Sequence, residues 1–463
     1  MFQLLRREPG FYRRLVQLAL PMVLQNLITT SLGFVDTFMV GLLGGNELSA
    51  VTAANTPIFL IQVIVFGLMS GLSVLVSQYW GKGDAEAINR CMGVVLYAGL
   101  AISGVMALIL FLFPAGVLAI VTDNAALIAT GAPYLRIVGI SYVFNTVSSV
   151  YVGMQRSTEN PRFGMLVFGT SMLLNTFLNY CLIFGHFGLP ALGVVGAATA
   201  TLTARMVEFA IVAVYAVTNR RVPLLPKALL RPGAAVFRGV LHYSGPVMVN
   251  ETMWGLGTSV LTAIMGHMAI SADMLAAYAI VGNIDKFSTV ACFGLAGATS
   301  VVIGKSIGEG RDREEVYSLG ACLLLLSFLL GLVIGLCLLV LLPAFFIPVL
   351  FPLFRLSEQA AYIAAVMTLV YLLVMPTRAF DITNITGLLR AGGDTRTAAV
   401  LDLAPLWLLA IPLTALFALA LDAPIPLVCV ATHCESLLKT PMGVVRLRSR
   451  KWINDVTLQE DAS

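Results

Sequence analysis

Seven carboxylates fall where carboxylates are rare. Asp36, Glu208, Glu251, Asp285, Asp381, Asp402 and Glu435 all sit inside long apolar stretches of the chain. An ionised side chain at the centre of a bilayer costs about 2.5–3.5 kcal/mol on insertion scales, so each needs a partner or a task. A carboxyl group in that setting can hold a small cation, or it can take up and release a proton. Asp36 lies about 10 Å inside the outer end of its stretch, at the rise of a helix. Pro21 precedes it on the same stretch, and a proline both removes a backbone donor and permits a kink. The combination predicts a carboxylate on a helix that can bend, the parts of a coupling switch. Asn175 and Asn179 are four apart and share one helix face. Their carbonyl oxygens suit a small hard cation, and hydrogen bonding between helices is the alternative use.

The second half of the chain repeats the theme. Glu251 falls near the middle of its stretch, beside Asn250 and shortly after Pro246, and Asp381 follows Arg378 by one helical step. Arg378 could neutralise Asp381 as a fixed pair. Arg205 with Glu208, and Glu435 with Lys439, have the three- and four-residue spacings of helical ion pairs. Asp285 and Lys286 are adjacent, point apart and need partners elsewhere, while Arg136 is a candidate to oppose one of the acids. None of His186, His242, His267 and His433 has a metal-ligand or catalytic partner in spacing. No Gly-x-x-x-x-Gly-Lys-Ser/Thr occurs, so ATP drive by this chain is not expected. The expectation is a non-enzyme with no catalytic residues, no organic cofactor, and no metal beyond Na+ at the carboxylates.

Composition dictates the elements that must carry these residues. Of 463 residues, 59% are hydrophobic and only 11% charged, with mean hydropathy +0.92. Soluble chains are about 25% charged, so a soluble enzyme, a disordered chain and a nucleic-acid binder are excluded. A membrane helix needs about 20 apolar residues. Twelve such runs occur, near 15–40, 53–79, 91–113, 128–153, 163–184, 193–218, 241–266, 279–304, 316–342, 360–388, 398–420 and 424–446. They are too long, and alternate too little, for barrel strands. The run after Arg6, Arg7, Arg13 and Arg14 is too long for a signal peptide and is read as a retained first span. The seven cysteines are odd in number, lack a C-x-x-C and lie mostly in apolar runs, the pattern of small buried thiols.

With the N-terminus placed in the cytoplasm, the loop Lys and Arg residues gather on the inner side and Arg355 alone falls outside. That asymmetry predicts twelve spans with both termini inside. The halves also resemble each other. Leu20-Pro21-Met22-Val23 answers Gly245-Pro246-Val247-Met248, Gly81-Lys82-Gly83-Asp84 answers Gly308-Glu309-Gly310-Arg311, and Gly153-Met154-Gln155-Arg156 answers Gly387-Leu388-Leu389-Arg390. Three landmarks in one order at near-constant separation predict a six-plus-six duplication. The copies are parallel, so their bundles are expected to be related by an axis along the membrane normal. The expected fold is an all-α integral membrane protein of twelve transmembrane helices in two six-helix bundles. Its first lobe is residues 1–218, a basic, Pro-rich cytoplasmic linker is 219–240, and the second lobe is 241–463 with a short basic tail. The linker is read as contacting phospholipid headgroups.

These residues together resemble the multidrug and toxic compound extrusion (MATE) family, NorM-type and related prokaryotic members in particular. The resemblance rests on Pro21 with Phe34-Val35-Asp36-Thr37, Gln78 with Gly81-Lys82-Gly83-Asp84, Asn175 and Asn179, Glu251, and Asp381 ahead of Leu389-Arg390. It implies a secondary active antiporter in the cell membrane that exports organic, often cationic, drugs or toxic metabolites against H+ or Na+. It implies cation coupling at Asp36, Asn175 and Asn179 in the first lobe and at Glu251 and Asp381 in the second, with Pro21 and Pro246 as hinges. Asn179 stands where some members have Asp, which lowers the negative charge of the first-lobe site. Expected partners are a small organic substrate and membrane lipids, with no nucleic acid and no ATPase subunit, the chain acting as a monomer. One rival is a flippase for lipid-linked precursors or polysaccharides in the same superfamily, which commonly has fourteen spans and a more basic cavity. The other is a membrane-embedded enzyme, which would need a polar cluster near one face.

Overall fold

The computed structural model describes Leu5 and residues 7–354 and 356–457. Arg6 and Arg355, both used in the charge asymmetry, lie outside the described residues. Every regular element among the described residues is helical. In order they are α1 (Pro9–Gly41), α2 (Gly45–Lys82), α3 (Ala85–Leu112), the short α4 (Pro114–Val121), α5 (Ala125–Ser157), α6 (Pro161–Phe184), α7 (Gly193–Thr218) and the one-turn α8 (Pro226–Leu230). The second half runs α9 (Ala234–Gly266), α10 (Ser271–Gly308), α11 (Arg313–Leu341), α12 (Phe351–Leu353), α13 (Glu358–Ile382), α14 (Thr395–Pro405), α15 (Ile411–Ala415), α16 (Ile425–His433) and α17 (Glu435–Ser449). Four π-helical stretches, Leu342–Leu350, Thr383–Leu389, Leu406–Ala410 and Leu416–Ala420, join some of these end to end.

Among the described residues ten rods are long and apolar enough to cross a membrane, counting Arg313–Leu353, Glu358–Leu389 and Thr395–Ala420 as continuous. The 33-residue α9 and the pair α16–α17, broken only at Cys434, supply the other two expected spans. Local chemistry sets the ends. Gly83 closes α2 at φ 74, a left-handed conformation that glycine adopts without a Cβ penalty. Asp84 then caps α3, its Oδ1 accepting the Ala87 N–H at 2.9 Å. Pro161 starts α6 at a position where a missing N–H costs nothing. Large side chains such as Ile120, Val217, Leu373 and Leu408 remain exposed, a surface suited to lipid rather than water.

The chain packs as two compact units. One is Leu24–Met248, and the other joins the segment up to Val23 with Val249–Val456. The divisions fall inside α1 and α9, each two residues beyond a proline, Pro21 or Pro246. In each helix the carbonyl four residues before the proline, at Gln17 and His242, loses its intrahelical donor. In the Leu24–Met248 unit, Ile58, Ile61, Leu110, Leu118, Leu135 and Val138 form the core. Here Gly67 and Gly71 of α2 lie against Met248 and Ser244 of α9, where an added Cβ would come within 2.9 Å and 2.7 Å of the partner's Cα. In the other unit Leu15, Leu18 and Met22 of α1 join a core with Leu295, Ala298, Val301 and Leu388. There Gly294 and Gly297 of α10 lie against Val23 and Met22, and a Cβ on Gly294 would meet the Val23 backbone nitrogen at 2.9 Å. The sequence carries this correspondence as Phe66-Gly67-Leu68 and Phe293-Gly294-Leu295.

The linker is held along α3. Asn89 donates to the Pro223 carbonyl at 3.0 Å and accepts the Leu225 N–H at 3.1 Å. Tyr97 donates to the Leu230 carbonyl at 3.2 Å, and Gly93 leaves space for the Leu229 carbonyl. The linker is thus clamped to α3.

Candidate functional site

In the Leu24–Met248 unit, α1, α6 and α7 bring a polar chain together inside an apolar packing. Asn179 Nδ2 donates to Asp36 Oδ1 at 2.6 Å and to Asn175 Oδ1 at 3.0 Å. Asn175 Nδ2 donates onward to Thr201 Oγ1 at 3.3 Å. Both asparagines are buried, at 2% and 1% exposure, because four-residue spacing puts them on the same inward stripe of α6. The Asn179 carbonyl oxygen is buried without a hydrogen-bond donor. One turn along α7 from Thr201, Arg205 Nη1 meets Glu208 Oε2 at 2.7 Å, and Asn145 of α5 donates to Glu208 Oε1 at 3.3 Å. Arg205 is near enough to act electrostatically on Asp36, though it bonds Glu208. Arg136 opposes none of the acids. Its Nε donates to the Phe111 carbonyl at 3.1 Å and its guanidinium lies over the Phe111 ring.

In the other unit, most acids already have cations. Glu251 Oε1 meets Arg390 Nη2 at 2.8 Å, and Arg390 is 3% exposed. Arg378 does not neutralise Asp381. It meets Asp285 Oδ2 at 2.8 Å, and Tyr371 donates to Asp285 Oδ1 at 2.8 Å. The three-residue step on α13 would have allowed that pair, but Asp285 of α10 lies within reach and takes the guanidinium instead. Lys439 pairs with Glu435, as the spacing predicts, and also with Asp402. Asp381 accepts from Thr440, whose Oγ1 donates to Oδ1 at 2.9 Å, and its Oδ2 is buried with no donor. Asp381 lies at the end of α13, and the next stretch, Thr383–Leu389, is π-helical. Asn384 of that stretch lies against α17, and π-helical turns are frequent at functional sites. Gly443 makes room, since a Cβ there would lie 2.5 Å from Asn384 Nδ2.

Of the seven intramembrane carboxylates, then, five are in ion pairs of 2.7–3.1 Å. Asp36 and Asp381 are in none among the described residues. Sequence spacing found the pairs within one helix. It missed Arg390 with Glu251, Arg378 with Asp285 and Lys439 with Asp402, whose residues belong to different helices.

The MatE family model matches the chain twice, over residues 21–181 and 246–416. The chain belongs to the MatE family. The two matches begin at Pro21 and Pro246, the landmarks that open each half of the MatE protein. It is similar to the probable multidrug resistance protein NorM of Thermotoga maritima, 25% identical over 87% of this chain and 85% of that one. It is also similar to the uncharacterised transporter YisQ of Bacillus subtilis, at 24% identity over 95% and 94%. Among solved structures, a MATE protein in complex with MaL6 superposes with TM-score 0.84 at 19% identity, covering 97% of this chain and 98% of that one. A mutant of the Vibrio cholerae MATE transporter VcmN gives TM-score 0.84 at 20% identity over 96% and 98%. The MatE chain is thus an efflux transporter of twelve membrane spans in the MATE fold.

Proposed function

We propose that this transporter is a secondary antiporter that exports small organic, often cationic, compounds in exchange for H+ or Na+, with Asp36 as the coupling carboxylate. The observation that carries the reading is the isolation of Asp36 from any ion pair, beside an amide that can serve either protonation state. As a carboxylate Asp36 only accepts, and Asn179 Nδ2 supplies the donor. Once protonated, Asp36 gains an O–H, and the undonated Asn179 carbonyl oxygen is the acceptor at hand. A rotation of one amide therefore trades one hydrogen-bond pattern for another, with Asn175 and Thr201 following in the chain. Na+ would use the same oxygens, from Asp36, Asn175 and Asn179. Such a swap shifts a conformational equilibrium only if the two conformations bind the ion differently. Pro21, on the same helix as Asp36, is the hinge through which α1 bends, and Pro246 is its counterpart in α9. Glu251 and Asp381 form the second acidic pair; Asp381 has the free oxygen for coupling, whereas Glu251 is engaged by Arg390.

The chain works in the cell membrane with both termini cytoplasmic, as a monomer, taking its drive from the ion gradient. The flippase reading is not favoured, because the similar proteins include probable multidrug resistance proteins and MATE transporters and the family model is MatE. The test is ethidium efflux from reconstituted vesicles under an imposed pH gradient and then an imposed Na+ gradient. Asp36→Asn should fold, reach the membrane and lose gradient-driven efflux under both. Efflux at the wild-type rate in that variant would move the coupling site elsewhere.

A further inference from the structure

Lys439 is 6% exposed and lies in mid-cluster. Its ammonium is 2.8 Å from Asp402 Oδ1 and 3.1 Å from Glu435 Oε2. Asp402 Oδ2 accepts from Asn250 Nδ2 at 2.9 Å. The next residue, Thr440, holds Asp381, on which the Lys439 charge also acts. Asp381 Oδ2, Asn250 Oδ1 and Asn384 Oδ1 are all buried without a donor. Two carboxylates, from α14 and α17, therefore flank one ammonium, and Asn250 of α9 holds the far oxygen of Asp402. Carboxylate and amide oxygens are the ligands that hard cations take. Lys supplies a compact point charge on a flexible stem, without the bidentate geometry of Arg.

We propose that the Lys439 ammonium is a built-in cation, tethered in a site of Asp402 and Glu435, with Asn250 beside them, that would otherwise bind a free monovalent cation such as Na+. The tether sets the competition. A side chain fixed to α17 is present at an effective concentration that an ion in free solution does not match. Free Na+ is thereby kept out while Asp402 and Glu435 stay compensated. Removing the ammonium and leaving the oxygens should turn the cluster into an ion site. The inference goes beyond the antiport reading, and its test reads ion binding rather than efflux, so the two can fail separately.

The experiment uses the full chain in an Asp36→Asn/Asp381→Asn background, which removes both candidate coupling carboxylates. NaCl replaces choline chloride at constant ionic strength, and both the Tm and 22Na+ binding are followed. With Lys439 present, neither should respond to Na+. Lys439→Ala should bind one Na+ per molecule, with a Tm that rises with Na+ concentration as linkage requires. Adding Asp402→Asn to Lys439→Ala should abolish both signals. If Lys439→Ala does not fold in choline chloride, Na+ or methylammonium (the missing head group) should restore it. Failure of both to restore folding overturns the proposal. So does a folded Lys439→Ala that binds no Na+, a response that survives Asp402→Asn, or Na+ binding with Lys439 in place that Asp402→Asn removes.

Discussion

Arg205→Met should be among the most destabilising single substitutions near Asp36, and Glu208→Met should relieve it. Glu208 is fully buried, and its Oε2 lies 2.7 Å from Arg205 Nη1. At that distance and an effective dielectric near 20, the attraction is on the order of 6 kcal/mol. Most of it offsets the desolvation of the two ions, so the intact pair adds little to net stability. Removing the arginine alone leaves the carboxylate in a dry site with only Asn145, at 3.3 Å, as donor. Stranding one member of such a pair costs about 3–5 kcal/mol. Arg205→Met/Glu208→Met fills a similar volume with no charge and should recover most of the loss. The assay is a double-mutant cycle on detergent-purified protein, with unfolding followed by temperature and by denaturant. Ethidium binding should separate the two variants further, since both lose the positive charge nearest Asp36 but only one strands Glu208. A single mutant as stable as wild type, or a double mutant no better than the single, would refute the reasoning.

Topology and hinge packing give two further predictions. Cysteines introduced near Asp123 and Asp422 should react with an impermeant thiol reagent from outside intact cells, and those near Arg231 and Arg450 should not; labelling at Arg231 from outside would reverse the orientation. Gly71→Ala should destabilise by about 1–3 kcal/mol or more, because its Cβ would press on the Ser244 backbone at 2.7 Å; a Tm equal to wild type would show that α2 and α9 can part there without cost.

The spans were legible because a bilayer imposes length and apolarity together. The stretch read as 163–184 is α6 (Pro161–Phe184), and 193–218 is α7 (Gly193–Thr218). Ends drifted where a cap extends the helix into polar sequence, as Asp84 does for α3. Asn175 and Asn179 were placed on one face by their spacing, and Asp36 was joined to them only through the family resemblance. Arg205–Glu208 and Glu435–Lys439 were legible for a narrower reason: three- and four-residue spacing fixes neighbours on a helix. Glu251–Arg390 is 139 residues apart, and no local rule reaches that far. The π-helical turns were not read from the sequence either, although Pro343, Pro348, Pro405 and Pro412 lie in or close to three of the four. The glycines under α1 and α9 did leave a signal, in the Phe-Gly-Leu triplets at 66–68 and 293–295, which charge and proline landmarks alone did not expose.

The shared helices have a consequence for how the molecule is made. A ribosome delivers the chain from one end, but the segment up to Val23 belongs with Val249–Val456. Leu15, Leu18 and Met22 emerge first, yet the core they fill, with Leu295, Ala298 and Leu388, is synthesised much later. At about 5–20 residues per second that wait is on the order of tens of seconds. The Leu24–Met248 unit, by contrast, has all its helices once the first half of α9 is out. Of the two pieces of the other unit, the one made earlier therefore waits for the one made later, and the order of birth and the order of completion are crossed. Until the second half arrives, the beginning of α1 has lipid or an insertion factor for company, and Gly294 and Gly297 are the places it must find.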